Sequence, residues 1–157
     1  MSFLASVEAS AFFTWLRESD SIWAFPTVLM LHALGVMLLS GAAAVLDLRL
    51  LGMARGIPIA SLRPLFPVMW GGFVVNVVSG ALLFGAYATS KGAMPLFFVK
   101  LGLVCAGVVT IVLIRREVYP AARVIESVSS RGRVLALVSL LLWLAAVTAG
   151  RLLAYVE

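Results

Sequence analysis

The stretch from Ile22 to Leu46, IWAFPTVLMLHALGVMLLSGAAAVL, holds no Asp, Glu, Lys or Arg. A helix rises about 1.5 Å per residue, and about 20 helical residues cross a hydrocarbon core of about 30 Å. This run alone is therefore long enough to span a bilayer, and it decides the class of the chain. Outward from it, Pro64 to Ser90 is also free of charge, Pro95 to Ile114 is interrupted only by Lys100, and Val134 to Val156 only by Arg151. The reading is an all-α integral membrane four-helix bundle, with spans at about 22–46, 66–89, 95–114 and 134–156. Together with an N-terminal interfacial helix over 1–19, these form a single membrane domain covering residues 1–157. Pro67 and Pro95 stand at the starts of the second and third spans, where a missing N–H costs nothing.

Composition agrees. Of the 157 residues, 63% are hydrophobic and 12% charged, and the mean hydropathy is +1.12. A soluble domain is about 45–50% apolar and about 25% charged. The net charge of +5 does not point to nucleic acid, because the basic residues form no single soluble face. Arg49, Arg55 and Arg63 fall in the first loop, and Arg115, Arg116, Arg123, Arg131 and Arg133 in the third. Lys91 is the one basic residue of the second loop. This asymmetry places the first and third loops in the cytoplasm and both termini outside, as in a multi-pass protein of a bacterial inner membrane. Glu8, Glu18 and Asp20 outnumber Arg17 in the N-terminal segment, which suits export.

Residues 1–19 lack the basic n-region and continuous apolar h-region of a signal peptide. They read as an amphipathic helix instead. Ser2, Ser6, Ser10, Thr14 and Arg17 (or Glu18) make one stripe, and Phe3, Leu4, Val7, Ala11, Phe12, Trp15 and Leu16 the other. Such a helix lies on the outer membrane surface or covers the mouth of the bundle, with partner docking as the alternative. No internal repeat is present, and the loop from Arg115 to Arg133 is the one stretch expected to be partly mobile.

Polar side chains within spans are costly and normally face the bundle interior. His32, Asn76, Lys100 and Arg151 are the candidates. His32 and Asn76 fall roughly 15 Å below the outer boundary, and Lys100 and Arg151 within about 8 Å of it. All four thus occupy the middle or outer part of the membrane. His32, the single histidine, suits an axial ligand to haem iron or a ligand to copper. The plainer reading is a buried histidine bonded to Asn76, Ser40 or a backbone carbonyl. Lys100 is either a counter-charge for an anionic ligand, a proton-transfer group, or a snorkelling cation. Arg151 is close enough to the surface to snorkel or to meet lipid phosphate. A b-type haem joins these residues: His32 on iron, Lys100 and Arg151 on the propionates, Asn76 orienting the imidazole, and Trp143 on the ring face or in helix packing. Met30, Met37, water or His32 of a second chain are the candidates for the other axial position.

Gly72, Asn76, Gly80 and Phe84 share a face of the second span, a pattern that admits close approach of a neighbouring helix. Gly35, Ser40, Gly41 and Ala44, and Gly102 and Gly107, serve the same purpose on the first and third. Asp47 and Arg49 read as an interfacial ion-pair anchor to loop charges. With no carboxylate expected inside a span, the sequence argues against an acid-based proton relay or cation pump. Cys105 is the only cysteine, so no intrachain disulfide or CxxC site exists, and it reads as a helix-packing residue. No Walker loop, nucleophile elbow or GxGxxG motif assigns an enzymatic reaction.

Several short features carry a resemblance. They are His32 with Gly35, the run Asp47 to Gly52, the Gly71–Phe84 stretch with Ser79-Gly80, and Pro95 with Lys100-Leu101. On these, over most of residues 20–115, the chain resembles an uncharacterised family of small four-helix bacterial membrane proteins. More distantly it is similar to the group of the copper-resistance D proteins and the J-type haem-dependent protoporphyrinogen oxidase. There a histidine early in the bundle and a lysine on the third helix recur, as His32 and Lys100 do here. The resemblance implies haem b binding or copper handling. The chain departs from that group in having one histidine and in lacking the oxidase's tryptophan-lysine start. Three functional readings follow. They are haem-based electron transfer on the outer side, copper or small-anion transport drawing on Met30, Met37 and Cys105, and an accessory subunit of a larger membrane complex or homo-oligomer.

Overall fold

The computed structural model describes residues 3–119 and 128–155. Residues 120–127, with Arg123 and the middle of the loop expected to be mobile, lie outside the described residues, as do Ser2 and Val156. The elements in order are α1 (Phe3–Glu8), α2 (Ala11–Glu18), α3 (Phe25–Leu50), a 3-10 turn (Ile59–Leu62), α4 (Leu65–Ala86), α5 (Ala88–Gly92), α6 (Pro95–Val118) and α7 (Ser130–Leu152). The four long helices α3, α4, α6 and α7 are each long and apolar enough to cross a membrane. Among the described residues there is no strand. The architecture is the expected all-α four-helix membrane bundle.

The boundaries differ from the charge-free windows for local reasons. Helix α6 runs on through Arg115 and Arg116 to Val118, because exposed arginines leave the helix sideways without breaking its backbone ladder. Helix α4 stops at Ala86, where Tyr87 leaves the helical region (φ −138°, ψ 38°) and the chain restarts as the short α5. At the end of α3, Gly52 adopts φ 102°, its N–H reaches Arg49 O at 3.1 Å, and the Met53 N–H reaches Leu48 O at 3.0 Å. This is a Schellman closure, and it explains why the run from Asp47 ends in glycine.

Two seams hold the bundle. Helices α3 and α4 pack most closely, then α6 with α7, with α3 joined to α7 between the pairs. At the first seam a Cβ built on Gly35 would lie 2.8 Å from Asn76 N and 2.9 Å from Gly72 O, so the two backbones touch. At the second, Gly107 leaves the notch that the Trp143 indole fills, with a Cβ there 2.9 Å from the ring. Helices α4 and α6 instead meet through aromatic side chains. Phe84 stacks on Phe97 at 4.9 Å near the end that carries the termini, and Phe66 meets Tyr119 edge-on at 5.3 Å near the arginine-loop end.

The arginine-loop end is closed by a continuous apolar core that includes Leu39, Leu46, Leu50, Ile59, Leu62, Phe66, Met69, Ile111 and Ile114. Tyr119 caps this core. Its hydroxyl donates to Ile59 O at 2.6 Å, and burial pushes the phenol up to about 12. It therefore stays protonated, and a donor, at any ordinary pH.

The other end is covered by the N-terminal segment, which forms two helices rather than the single one expected. The break falls at Ser10, whose extended backbone (φ −66°, ψ 147°) starts α2 afresh. The bend lets both pieces dock. Leu16 is buried with Ala24, Val28 and Ala86, and the Phe13 ring sits where a Gly85 side chain would be. Arg17 donates to Ala86 O at 3.0 Å, satisfying a carbonyl left open at the end of α4. The segment thus docks on α4 and α5 at this end, while Phe3, Phe12 and Trp15 stay exposed.

Glu8 fastens the cover by accepting from the Thr89 N–H at 2.7 Å and from the Thr89 hydroxyl. The side-chain bond from Thr89, then its backbone bond, hold this carboxyl below its ordinary 4.5, with a smaller contribution from Arg17. A lowered folded value means that the attachment is complete above that ordinary value and is lost as pH falls through the folded one. The protection factors of the α2 amides, exchange rates corrected for the intrinsic pH dependence, are expected to fall on acidification in the native chain. In Glu8→Gln they should be low already at neutral pH and change little with pH.

Candidate functional site

His32 sits on the inner stripe of α3 one turn before Gly35, so the backbone contact of α3 with α4 carries its ring onto α4. There the Ser79 hydroxyl lies 2.6 Å from Val75 O, the helical i−4 carbonyl, and 3.1 Å from His32 Nδ1. A hydroxyl has one proton. Given to Val75 O, it leaves the Ser79 oxygen as acceptor, so Nδ1 carries hydrogen and donates to it. The Asn76 amide donates to the backbone oxygen of His32 at 3.3 Å, fixing the same turn of α3. Its 3.4 Å approach to Nδ1 is then donor to donor and no bond. The lone pair of the neutral ring is on Nε2, which has no protein partner among the described residues. Gly80 makes room for the same edge of the ring, since a Cβ there would come within 3.1 Å of His32 Cε1 and 3.5 Å of Nδ1.

Lys100 approaches the same level from α6. Its stem lies along Gly150 of α7, where a Cβ would be 3.2 Å from Cε and 3.4 Å from Nζ. The ammonium has no ion pair or hydrogen bond among the described residues. At this level the polar chemistry comes in two parts: His32 of α3 against Asn76, Ser79 and Gly80 of α4, and Lys100 of α6 against Gly150 of α7. An imidazole lone pair and an unneutralised cation are its chemical content.

Two residues read into the site from the sequence stand apart from this level. Arg151 follows Gly150, but its side chain is exposed, donates to the Tyr155 hydroxyl at 2.7 Å and lies over that ring at 5.1 Å. Trp143 is 5% exposed and occupies the α6–α7 seam at Gly107, which is helix packing and not an open ring face. Met30, Met37 and Cys105 are all on the outside of the bundle. Ser40 bonds Val36 O in its own helix and not the imidazole.

Ser79 is the site residue that the sequence reading passed over, although it is three residues from Asn76 and so on the same face. Asp47 requires a correction. Among the described residues it makes no ion pair with loop charges. It lies within α3, 1% exposed, and neither carboxyl oxygen has a hydrogen-bond partner among the described residues. Arg49 turns instead to the loop carbonyls of Ile57 and Arg55, at 2.6 and 3.2 Å. Positions two apart on a helix do not face each other, so one side chain enters the core while the other leaves it.

Among the described residues no three His, Cys, Asp or Glu side chains gather as a metal cluster. No family model, curated protein or solved structure matches this chain.

Proposed function

We propose that the polar level holds a b-type haem and that the protein is a membrane electron carrier, with His32 Nε2 as the iron ligand and Lys100 pairing a propionate. The observation that carries this reading is the contact of His32 Nδ1 with Ser79, whose own proton goes to Val75 O. Nδ1 is tied to Ser79, so the free lone pair is on Nε2, the pattern by which an outer hydrogen bond orients a metal-ligating histidine. The donor set fits the group. Iron takes a neutral imidazole, and a propionate in an apolar setting needs a cation, which the unpaired ammonium of Lys100 supplies. When bound, the haem supplies one-electron exchange. The chain itself orients the imidazole, with Ser79 setting its tautomer and Asn76 fixing the turn of α3 that carries it. Arginine-rich first and third loops support an orientation in which this level faces the outer side of a bacterial inner membrane.

Copper handling lacks soft ligands near His32, because Met30, Met37 and Cys105 are on the outside of the bundle. A small anion in place of the propionate draws on the same unpaired Lys100 and is the second reading. Protein expressed with a haem precursor and purified in mild detergent is expected to show a Soret band that shifts on dithionite reduction and is absent from His32→Ala. A colourless native preparation, or an unchanged spectrum in His32→Ala, contradicts the haem. Anion binding that survives in His32→Ala and is lost in Lys100→Met would favour the second reading.

A further inference from the structure

The arginine-loop half of the bundle contains a polar group that the haem reading does not use. Asp47 is 1% exposed, in a core whose other members near this end of α3 are Leu46, Leu50, Met69, Ile111 and Ile114. Beside it stands Ser139 of α7, fully buried and outside hydrogen-bonding geometry with the carboxyl. One turn further along α7, the indole N–H of Trp143 is also buried without a partner among the described residues.

Among the described residues, the charged and titratable groups near this end are committed elsewhere. Arg49 serves loop carbonyls, Arg55 donates to Gly52 O at 3.0 Å, Arg115 lies over the Phe66 ring at 5.7 Å, and Tyr119 bonds Ile59 O. Arg63, Arg116, Arg131 and Arg133 are exposed. From α4, α6 and α7 the elements packed against this end bring apolar side chains, Ser139 and Trp143.

A bare carboxylate in such surroundings, with no cation and no formed hydrogen bond among the described residues, costs many kcal/mol, and buried charges persist only when paired or bound to metal. One hydroxyl oxygen beside it does not make the cage of six to eight oxygens that a hard divalent cation takes. A carboxylic acid, in contrast, brings no charge into the core, and the adjacent Ser139 oxygen is the acceptor available to its O–H. We infer that Asp47 is a proton-binding site, held as a neutral carboxylic acid between α3 and α7, so that the bundle carries a removable proton in its arginine-loop half as well as a lone pair at His32.

Asp20 and Asp47 are the only aspartates in the sequence, so protein labelled with carbon-13 at the aspartate carboxyl gives two resonances. Asp20 is exposed in the link between α2 and α3, and Asp20→Asn removes its signal without touching the bundle. At neutral pH the signal that remains is expected at the carboxylic-acid position, unchanged when sodium replaces potassium and independent of haem loading. Asp47→Asn should abolish it. A remaining signal at the carboxylate position, or one moved by sodium, overturns the proposal. Haem binding would be untouched by that result, so the two readings fail separately.

Discussion

Gly72→Ala is expected to destabilise the bundle by about 3 kcal/mol, at the upper end of the range for overpacking. The added Cβ would lie 2.8 Å from Leu39 N and 2.9 Å from both Gly35 O and the Leu38 Cβ. Two of those neighbours are backbone atoms of α3, which cannot turn aside as a flexible side chain can. Relief requires α3 and α4 to move apart. That would open the seam that carries His32 onto Ser79 and weaken the dispersion contacts along it. The neighbouring Gly71 is the control, because a Cβ there meets nothing within 4 Å. Gly71→Ala should be neutral or slightly stabilising, by up to about 1 kcal/mol from helix propensity. Reversible unfolding in detergent or bicelles measures both. Equal stability of the two variants would mean that the seam is not a backbone contact.

Ser79→Ala is expected to weaken haem binding by about 10- to 100-fold while leaving the fold intact. Removing the hydroxyl leaves Nδ1–H without its acceptor, and losing the outer partner of a ligating histidine carries a penalty of that size. The imidazole is then free to put its proton on Nε2, the position that must be bare to bind iron. Lys100→Met acts on a different part of the ligand. It removes a charge-assisted contact worth about 1.5–3 kcal/mol, again about 10- to 100-fold in affinity, but leaves the iron's ligand in place. The two variants therefore separate by spectrum. Ser79→Ala should alter the Soret position or axial signature of whatever haem it binds, whereas Lys100→Met should reduce occupancy with an unaltered spectrum. If Ser79→Ala binds haem as the native chain does, the imidazole is not held in the way described.

The spans were readable because lipid demands length without charge, and the windows at Ile22, Pro64, Pro95 and Val134 meet that demand plainly. Helix ends were less readable. Arg115 and Arg116 sit on a helix that continues to Val118, since charge alone does not interrupt a backbone ladder. Gly72 and Asn76 announced a close seam, and the structure has it. The proximity of His32 to Asn76 was also foreseeable from their common depth. Side-chain direction was not. Depth put Arg151 with the site, but one residue is about 100° of helix rotation. Gly150 faces Lys100, while Arg151 points along the surface to Tyr155. Asp47 was misread from its neighbour in sequence. Its spacing from Arg49 places the two on different sides of α3, a rule already contained in the helix period. Ser79 was hidden for another reason. Serine is common in membrane helices as a bond to its own i−4 carbonyl, and Ser79 makes that bond too. Its second role, accepting from His32, depends on where α3 lies.

The account depends most on which nitrogen of His32 carries the proton. The chain has a single histidine, so ring nitrogen-15 labelling gives one unambiguous pair of signals from the haem-free protein. The hydrogen-bond pattern predicts a protonated Nδ1 and a bare, pyridine-type Nε2, with that pattern lost in Ser79→Ala. A protonated Nε2 would put the lone pair on Nδ1, against Ser79, and an imidazolium at neutral pH would have none; either result contradicts the proposed function.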